Sequence, residues 1–245
     1  CDMDPIMKIA KKHKLFVIED AAHAIDSSYK GRYIGSIGHL ATLSFHITKN
    51  VTCGEGGLLI MNDERFYDHA EILWEKGTNR SAFFRGEVDK YSWVDIGSSF
   101  LPSDIIAAFL FSQLENMDAV QEKRKNLWNY YFEKLNEAVI KGFFKTPFVR
   151  SYSTNNAHIF YLVCNNTNER NSLIEHLKSN GVGAVFHYLS LEKSPYYTNK
   201  HDGRTLKNAN YFSDCLVRLP LFFDLTFKEI DFIANKILQF YSKPL

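Results

Sequence analysis

The sequence predicts an α/β fold in two parts: a larger sheet-and-helix domain over residues 1–120 and a smaller α/β domain over residues 121–245. Three observations carry this. The chain opens on a helix-then-strand unit of the kind found inside α/β domains. A long helical stretch, 104–138, changes from nearly all apolar to charged and amphipathic along its length, as a helix does on leaving one core for another. Beyond it, short strand and helix patterns run to the C-terminus.

Each element has its own local reason. Ile6, Ile9 and Ala10 make an apolar stripe ahead of the basic Lys11, Lys12 and Lys14, so a helix is expected there. The apolar run 15–18 ends in two acids and reads as a parallel strand buried on both faces. Residues 38–45, "GHLATLSF", and 56–62, "GGLLIMN", are two further strands, followed by a helix from 63 to about 76. Residues 77–100 show no period, and unstructured loops of that length in compact domains are usually functional. Ser103, just after Pro102, is an N-cap. It opens one long helix or two joined helices over 104–138, the apolar first half of which is expected to cross a core. Residues 157–165 read as a strand. Residues 168–182 read as a helix opened by Asn or Thr and closed by Gly181. Residues 184–191 read as a strand and 207–222 as a helix stopped before Pro220. A Thr-x-x-Glu capping box begins a terminal helix over 226–241. The chain starts within an α/β unit and without Met, so an N-terminal part of the first domain is expected to lie outside it.

Bulk properties narrow the function classes. The 245 residues are 45% hydrophobic and 23% charged, an ordinary globular composition. Lys and Arg number 29 against 28 Asp and Glu, so no electrostatic footprint for nucleic acid or an anionic membrane is present. No apolar run approaches the length of a membrane span. The four cysteines, Cys1, Cys53, Cys164 and Cys215, lack metal or redox spacing, which points to a reducing, cytoplasmic setting and no metal site.

Chemistry concentrates in two short stretches. In "VIEDAAHA", Asp20 ends a buried strand, where open α/β sheets place their ligands. Ala21 and Ala22 permit close approach, and His23 follows. Glu19 and Asp20 could equally cap the next turn. In "SFHITKNVTCGEGG", Ser44 ends a strand and Lys49 follows in a turn before four residues, 54–57, of which three are glycine. A lysine reacts as a nucleophile only when partly neutral, which a half-buried turn favours. A surface loop lysine is the plain alternative. An acid for a ring nitrogen, a hydroxyl for a phosphate and a lysine for a Schiff base are together what pyridoxal phosphate requires.

In this order, "EDAAHA", "SFHITKN" and "GEGG" resemble the nucleotide-sugar aminotransferases of the DegT/DnrJ/EryC1/StrS type. "KGTNRSAFFRGEVDKYSWVDIGSSFLPSD" and "FHYLSL" extend the resemblance over essentially the whole chain. The resemblance implies an aspartate-aminotransferase-like fold (fold type I), with an incomplete, mostly parallel large domain and a smaller C-terminal domain. It implies pyridoxal 5'-phosphate as cofactor and a cytoplasmic homodimer. Lys49 would form the Schiff base and move the proton. Asp20 would pair with the pyridine nitrogen, His23 would lie beside the ring, and Ser44 would bind the phosphate. Ser99 stands where many relatives carry an Asn that reaches the partner subunit's phosphate. The relatives' N-terminal phosphate-binding turn and ring-stacking aromatic are not in this chain.

The implied reaction takes an amino group from glutamate to C4 of a dTDP-4-keto-6-deoxyhexose, for a cell-surface polysaccharide. Arg80 and Arg85 are candidates for the sugar nucleotide's diphosphate, because a guanidinium fork suits phosphate oxygens. They could instead anchor their loop, paired with Asp89 or Asp95. His187 and Tyr188 are candidates for the sugar, with packing between domains as the alternative. Related sugar dehydratases carry His at the lysine position, so Lys49 disfavours dehydration. A truncated paralogue that only dimerises or binds nucleotide sugar is the remaining alternative.

Overall fold

The computed structural model describes residues 1–242, and the chain divides into two compact units. The first is Cys1–Ala119 together with Ser151–Asn156; the second is Val120–Arg150 together with the chain from Ala157 onward. The last three residues of the expected C-terminal domain lie outside the described residues.

The first unit opens with α1 (Met3–His13), ended by Lys14 in the left-handed conformation. Its stripe is only partly the expected one: Ala10 is buried, with Met3, whereas Ile6 and Ile9 are 38% and 57% exposed. The next strand, β1 (Ile18–Asp20), begins later than predicted and is not buried on both faces. Leu15, Phe16 and Ile18 are exposed, and the buried residue is Glu19. Its Oε1 accepts from Ile37 N (2.8 Å) and Gly38 N (2.6 Å), and its Oε2 from Gly35 N (3.0 Å). A buried carboxylate is tolerable when its lone pairs are filled in this way. Glu19 is therefore a clamp on the turn that leads into the next sheet strand.

A small antiparallel hairpin, β2 (Ser28–Tyr29) with β3 (Arg32–Tyr33), precedes that turn. β4 (Leu40–Ser44) then pairs parallel with β1, and β5 (Gly57–Met61) pairs antiparallel with β4. The sheet order is β1-β4-β5. α2 (Tyr67–Trp74) follows a short 3-10 turn.

The unperiodic stretch holds one short helix, α3 (Arg80–Phe84), and is otherwise held by isolated bridges, Glu75 to Ser99 and Thr78 to Trp93. Its two arms cross where both residues are glycine. A Cβ on Gly97 would stand 2.0 Å from Gly77 N, so no larger residue fits. Ser103 caps α4 (Asp104–Glu115), accepting from Ile106 N. Among the described residues α4 skirts a core rather than crossing one: none of its residues is fully buried and Ile105 is 82% exposed, while Ile106 and Leu110 pack against the small cluster of Phe45, Val51 and Cys53. Asn116 ends it, and α5 (Met117–Ile140) is a separate helix.

In the second unit the inward face of α5 (Leu127, Trp128, Tyr131, Leu135, Ala138) packs into a large core. β6 (Phe160–Val163), α6 (Thr167–Ser179) and β7 (Val185–Phe186) follow. Asn166 caps α6 by accepting from Glu169 N. The expected helix over 207–222 splits. α7 (Lys207–Cys215) gives way to β8 (Leu216–Leu219), the central strand of a sheet ordered β6-β8-β7. The apolar stretch before Pro220 is a buried strand because it sits between two antiparallel partners, an environment that helical spacing alone does not reveal. α8 (Phe227–Ser242) starts with the predicted box: Thr226 Oγ1 accepts from Glu229 N (3.2 Å) and Thr226 N donates to Glu229 Oε2 (2.8 Å).

Replacing Glu19 by Ala strands three buried N–H groups. It is expected to cost about 3 kcal/mol of stability, read as a lower urea midpoint. An unchanged midpoint would contradict the clamp.

Candidate active site

The parallel register builds the site. Asp20 pairs with Thr42, so the two side chains share a sheet face, and Ser44 lies two residues further along β4 on that same face. The chain leaves β1 with Ala21 N donating to Thr42 O (2.9 Å) and Ala22 N donating to Asp20 Oδ1 (3.2 Å). On the other side of β4, the partner of Ser44 is Gly57, so β5 contributes no side chain beside the hydroxyl. His46 N donates to Ser44 Oγ (3.3 Å).

The Lys49 turn is tightly drawn. Lys49 N donates to His46 O (2.9 Å), and Ile47 N donates to Gly54 O (2.8 Å). His46 Nδ1 lies 2.9 Å from Thr48 Oγ1, and its Nε2 lies 3.5 Å from Glu55. Phe45, Val51 and Cys53 pack beneath as a small buried cluster. Lys49 itself is half-buried. Burial lowers the pKa of its amine, and the Asp20 carboxylate opposes that from the end of β1. The amine and the acid therefore sense each other electrostatically, although they come from different loops.

His23 lies exposed in the turn after β1, and its carbonyl accepts from Asn156 Nδ2 (2.7 Å). Cys53 is buried, and its thiol donates to Glu55 O; burial raises its pKa. Ser99 is exposed at the bridge to Glu75. Arg85 is engaged: Nη1 and Nη2 donate to Glu71 (2.7 and 2.9 Å), and Nε donates to Glu87 (2.7 Å). These bonds, to Glu71 first, hold its pKa above the usual arginine range. Its anchors are thus Glu71 and Glu87 rather than Asp89 or Asp95. Arg80 lies 3.9 Å from Glu75, with its guanidinium over the Phe84 ring. His187 and Tyr188 belong to the second unit, just after β7. His187 is half-buried, and burial, then Arg218, lowers its pKa. Tyr188 is 76% exposed.

Three residues that hydrogen-bond to the loops around these side chains carry no signal in their spacing. Glu19 reads as one of an acid pair, and only the fold shows it turned inward. Asn50 adjoins Lys49 but has no chemistry of its own. Asn156 is 106 residues away from Asn50, to which its carbonyl is bonded.

An acid at the end of β1, a hydroxyl at the end of β4 and, in the turn after β4, a lysine whose pKa burial lowers make a candidate lysine-centred site. Residues 1–238 match the model of the DegT/DnrJ/EryC1/StrS aminotransferase family, and the chain belongs to that family. It is 31% identical over 247 residues to the spore coat polysaccharide biosynthesis protein SpsC of Bacillus subtilis, covering 97% of this chain and 62% of that protein. An aminotransferase structure from Psychrobacter cryohalolentis superposes with a TM-score of 0.88 at 27% identity, covering 99% of this chain and 66% of that one. Helicobacter pylori PseC, an aminotransferase involved in the biosynthesis of pseudoaminic acid, gives a TM-score of 0.88 at 22% identity, covering 98% and 63%. The fold is that of the fold type I aminotransferases. The chain spans somewhat under two thirds of the length of the curated relatives it matches.

Family membership indicates pyridoxal phosphate as the cofactor. The donor set fits it. Asp20 offers an acceptor for a protonated ring nitrogen, Ser44 a hydroxyl beside a side-chain-free strand position, and Lys49 an amine whose charge is disfavoured by burial.

Competitive amine labelling of the protein is expected to show Lys49 titrating below an ordinary lysine. Asp20→Asn should lower its inflection further, because the carboxylate favours the ammonium form. A rise in Asp20→Asn would contradict this geometry.

Proposed function

We propose that the protein containing this chain transfers an amino group from glutamate to C4 of a dTDP-4-keto-6-deoxyhexose. The observation that carries the reading is the half-buried Lys49, whose pKa burial lowers, within electrostatic reach of Asp20. Pyridoxal phosphate, when bound, supplies the electron sink that accepts the pair left when a proton departs from carbon.

The chain's own residues do the rest. Asp20 would hold a proton on the ring nitrogen through a charge-assisted hydrogen bond. Ser44 would donate its hydroxyl to the phosphate. The Lys49 amine, neutral part of the time because it is partly desolvated, takes a proton from one carbon and returns it to another within its reach. Lysine at this position also supports transamination over sugar dehydration.

The finer substrate reading rests on the loop "GTNRSAFFRGEVDKYSWVDIGSSF" and on "FHYLSL", which resemble the dTDP-4-amino-4,6-dideoxygalactose transaminases of surface-antigen synthesis. The likeness to a polysaccharide biosynthesis protein supports a sugar substrate. Arg80 is the better placed candidate for the diphosphate, since Arg85 already satisfies two carboxylates. His187 and Tyr188 are candidates for sugar contacts, and Ser99 for a contact to the partner subunit's phosphate in a homodimer.

Adding pyridoxal phosphate should produce a visible absorption band that is absent in Lys49→Ala and bleached by glutamate. Subsequent dTDP-4-keto-6-deoxyglucose should restore the band and yield an amino sugar. No band from the folded protein, or a band that survives in Lys49→Ala, would contradict the assignment.

A further inference from the structure

The Asp20–His23 loop and the Lys49 turn follow different strands, so the sheet alone does not set their spacing. The β1–β4 ladder runs to Ala21 N and Thr42 O. Past that point the two loops are joined through the far end of the first unit. Asn50 and Asn156 are both buried, at 7% and 6% exposure. Asn50 Nδ2 donates to Asn156 O (2.8 Å). Asn156 Nδ2 donates to His23 O (2.7 Å) and Ile25 O (2.9 Å).

Asn156 is itself held from behind. The segment before it runs along β2: Ser28 N donates to Thr154 Oγ1 (2.8 Å), Thr154 N to Ser28 O (3.0 Å), and Lys30 N to Tyr152 O (2.7 Å). On the other side, Val51, next to Asn50, is 1% exposed. Loop carbonyls buried away from a sheet need donors, and a neutral amide supplies them without burying a charge. In a low-dielectric setting such bonds are stiff and costly to break.

We propose that Asn156 is a positioning residue: with Asn50 it locks the His23 loop to the Lys49 turn and so sets where the Lys49 amine stands relative to Asp20. Only the consequence for catalysis rests on the function proposed above; the coupling itself does not.

The test uses the full chain without cofactor, as wild type, Asn50→Ala, Asn156→Ala and the double variant. Hydrogen exchange read by mass spectrometry should speed up about tenfold or more in both 21–27 and 46–54 in each single variant: about tenfold is what one lost buried hydrogen bond corresponds to, and Asn50→Ala removes one while Asn156→Ala removes two. Exchange in α6 and α8 should not change. The pH profile of Lys49 labelling should move towards that of an ordinary lysine, because a loosened turn admits water and burial is what lowers its pKa against the opposing Asp20 carboxylate. Glu19, Asp20, His23, Asp26, His46, Cys53, Glu55 and Tyr152, the ionisable groups on the two loops and on the elements that hold them, are retained in every variant. The double variant should shift the profile no further than either single one, since both act on one connection. Exchange that rises only in the mutated loop, an unmoved Lys49 profile, or additive shifts would each overturn the proposal. If Asn156→Ala does not fold, Asn50→Ala alone must loosen 21–27 or the proposal fails. Coupled exchange in a protein that never forms the visible band would overturn the proposed function and leave this inference standing.

Discussion

Three backbone N–H groups at the entry to β4 converge on one buried carboxylate, Glu19, and the site depends on that contact. Side chains in a strand alternate between faces, so a one-residue slip of β1 against β4 would exchange Glu19 with Asp20. The clamp forbids the slip by holding Glu19 on the inner side, against the turn that delivers β4. Asp20 is thereby turned to the face it shares with Thr42 and Ser44. Two neighbouring acids of nearly identical chemistry thus take different roles, one structural and one facing the site, because the strand geometry separates them.

Within that frame Lys49 is set by two opposed effects. Taking its amine partly out of water favours the neutral form, and the negative charge on Asp20 favours the ammonium. Burial is the larger. A proton carrier must give up a proton as readily as it takes one, and a lysine in open water does not. The balance requires the turn to stay closed over its small apolar cluster, and it requires the acid to stay at its distance. The buried amides of Asn50 and Asn156 bear on both conditions, which is why residues without reactive groups matter to a reactive one.

Local motifs were legible in the sequence and the supports of the candidate site were hidden. Lys49, Ser44 and Asp20 stand in short motifs whose chemistry is local, which singles them out as candidates, and the caps at Ser103, Asn166 and Thr226 are equally local and form as read. The strand at Leu216–Leu219 was hidden because its apolar run fits a helix as well as a strand until its two partners are known. α4 reads as a core helix from composition, yet only Ile106 and Leu110 pack against the small cluster at Phe45, Val51 and Cys53, while Ile105, Phe109, Phe111 and Leu114 are exposed in this chain. Glu19 and Asn156 escaped for a different reason. Their roles are made by contacts to backbone groups distant in sequence, and backbone groups leave no trace in residue identity. Arg85 shows the converse: its residue type suggested a phosphate ligand, and the fold surrounds it with carboxylates.

The central claim is that this fold makes one lysine chemically distinct. Incubation with pyridoxal phosphate, reduction with borohydride, digestion and peptide mass spectrometry would test it most directly. The account predicts a single stoichiometric adduct on the peptide that carries Lys49, formed at cofactor concentrations too low to modify other lysines. An adduct spread over surface lysines, or concentrated on a lysine outside the turn between β4 and β5, would contradict it.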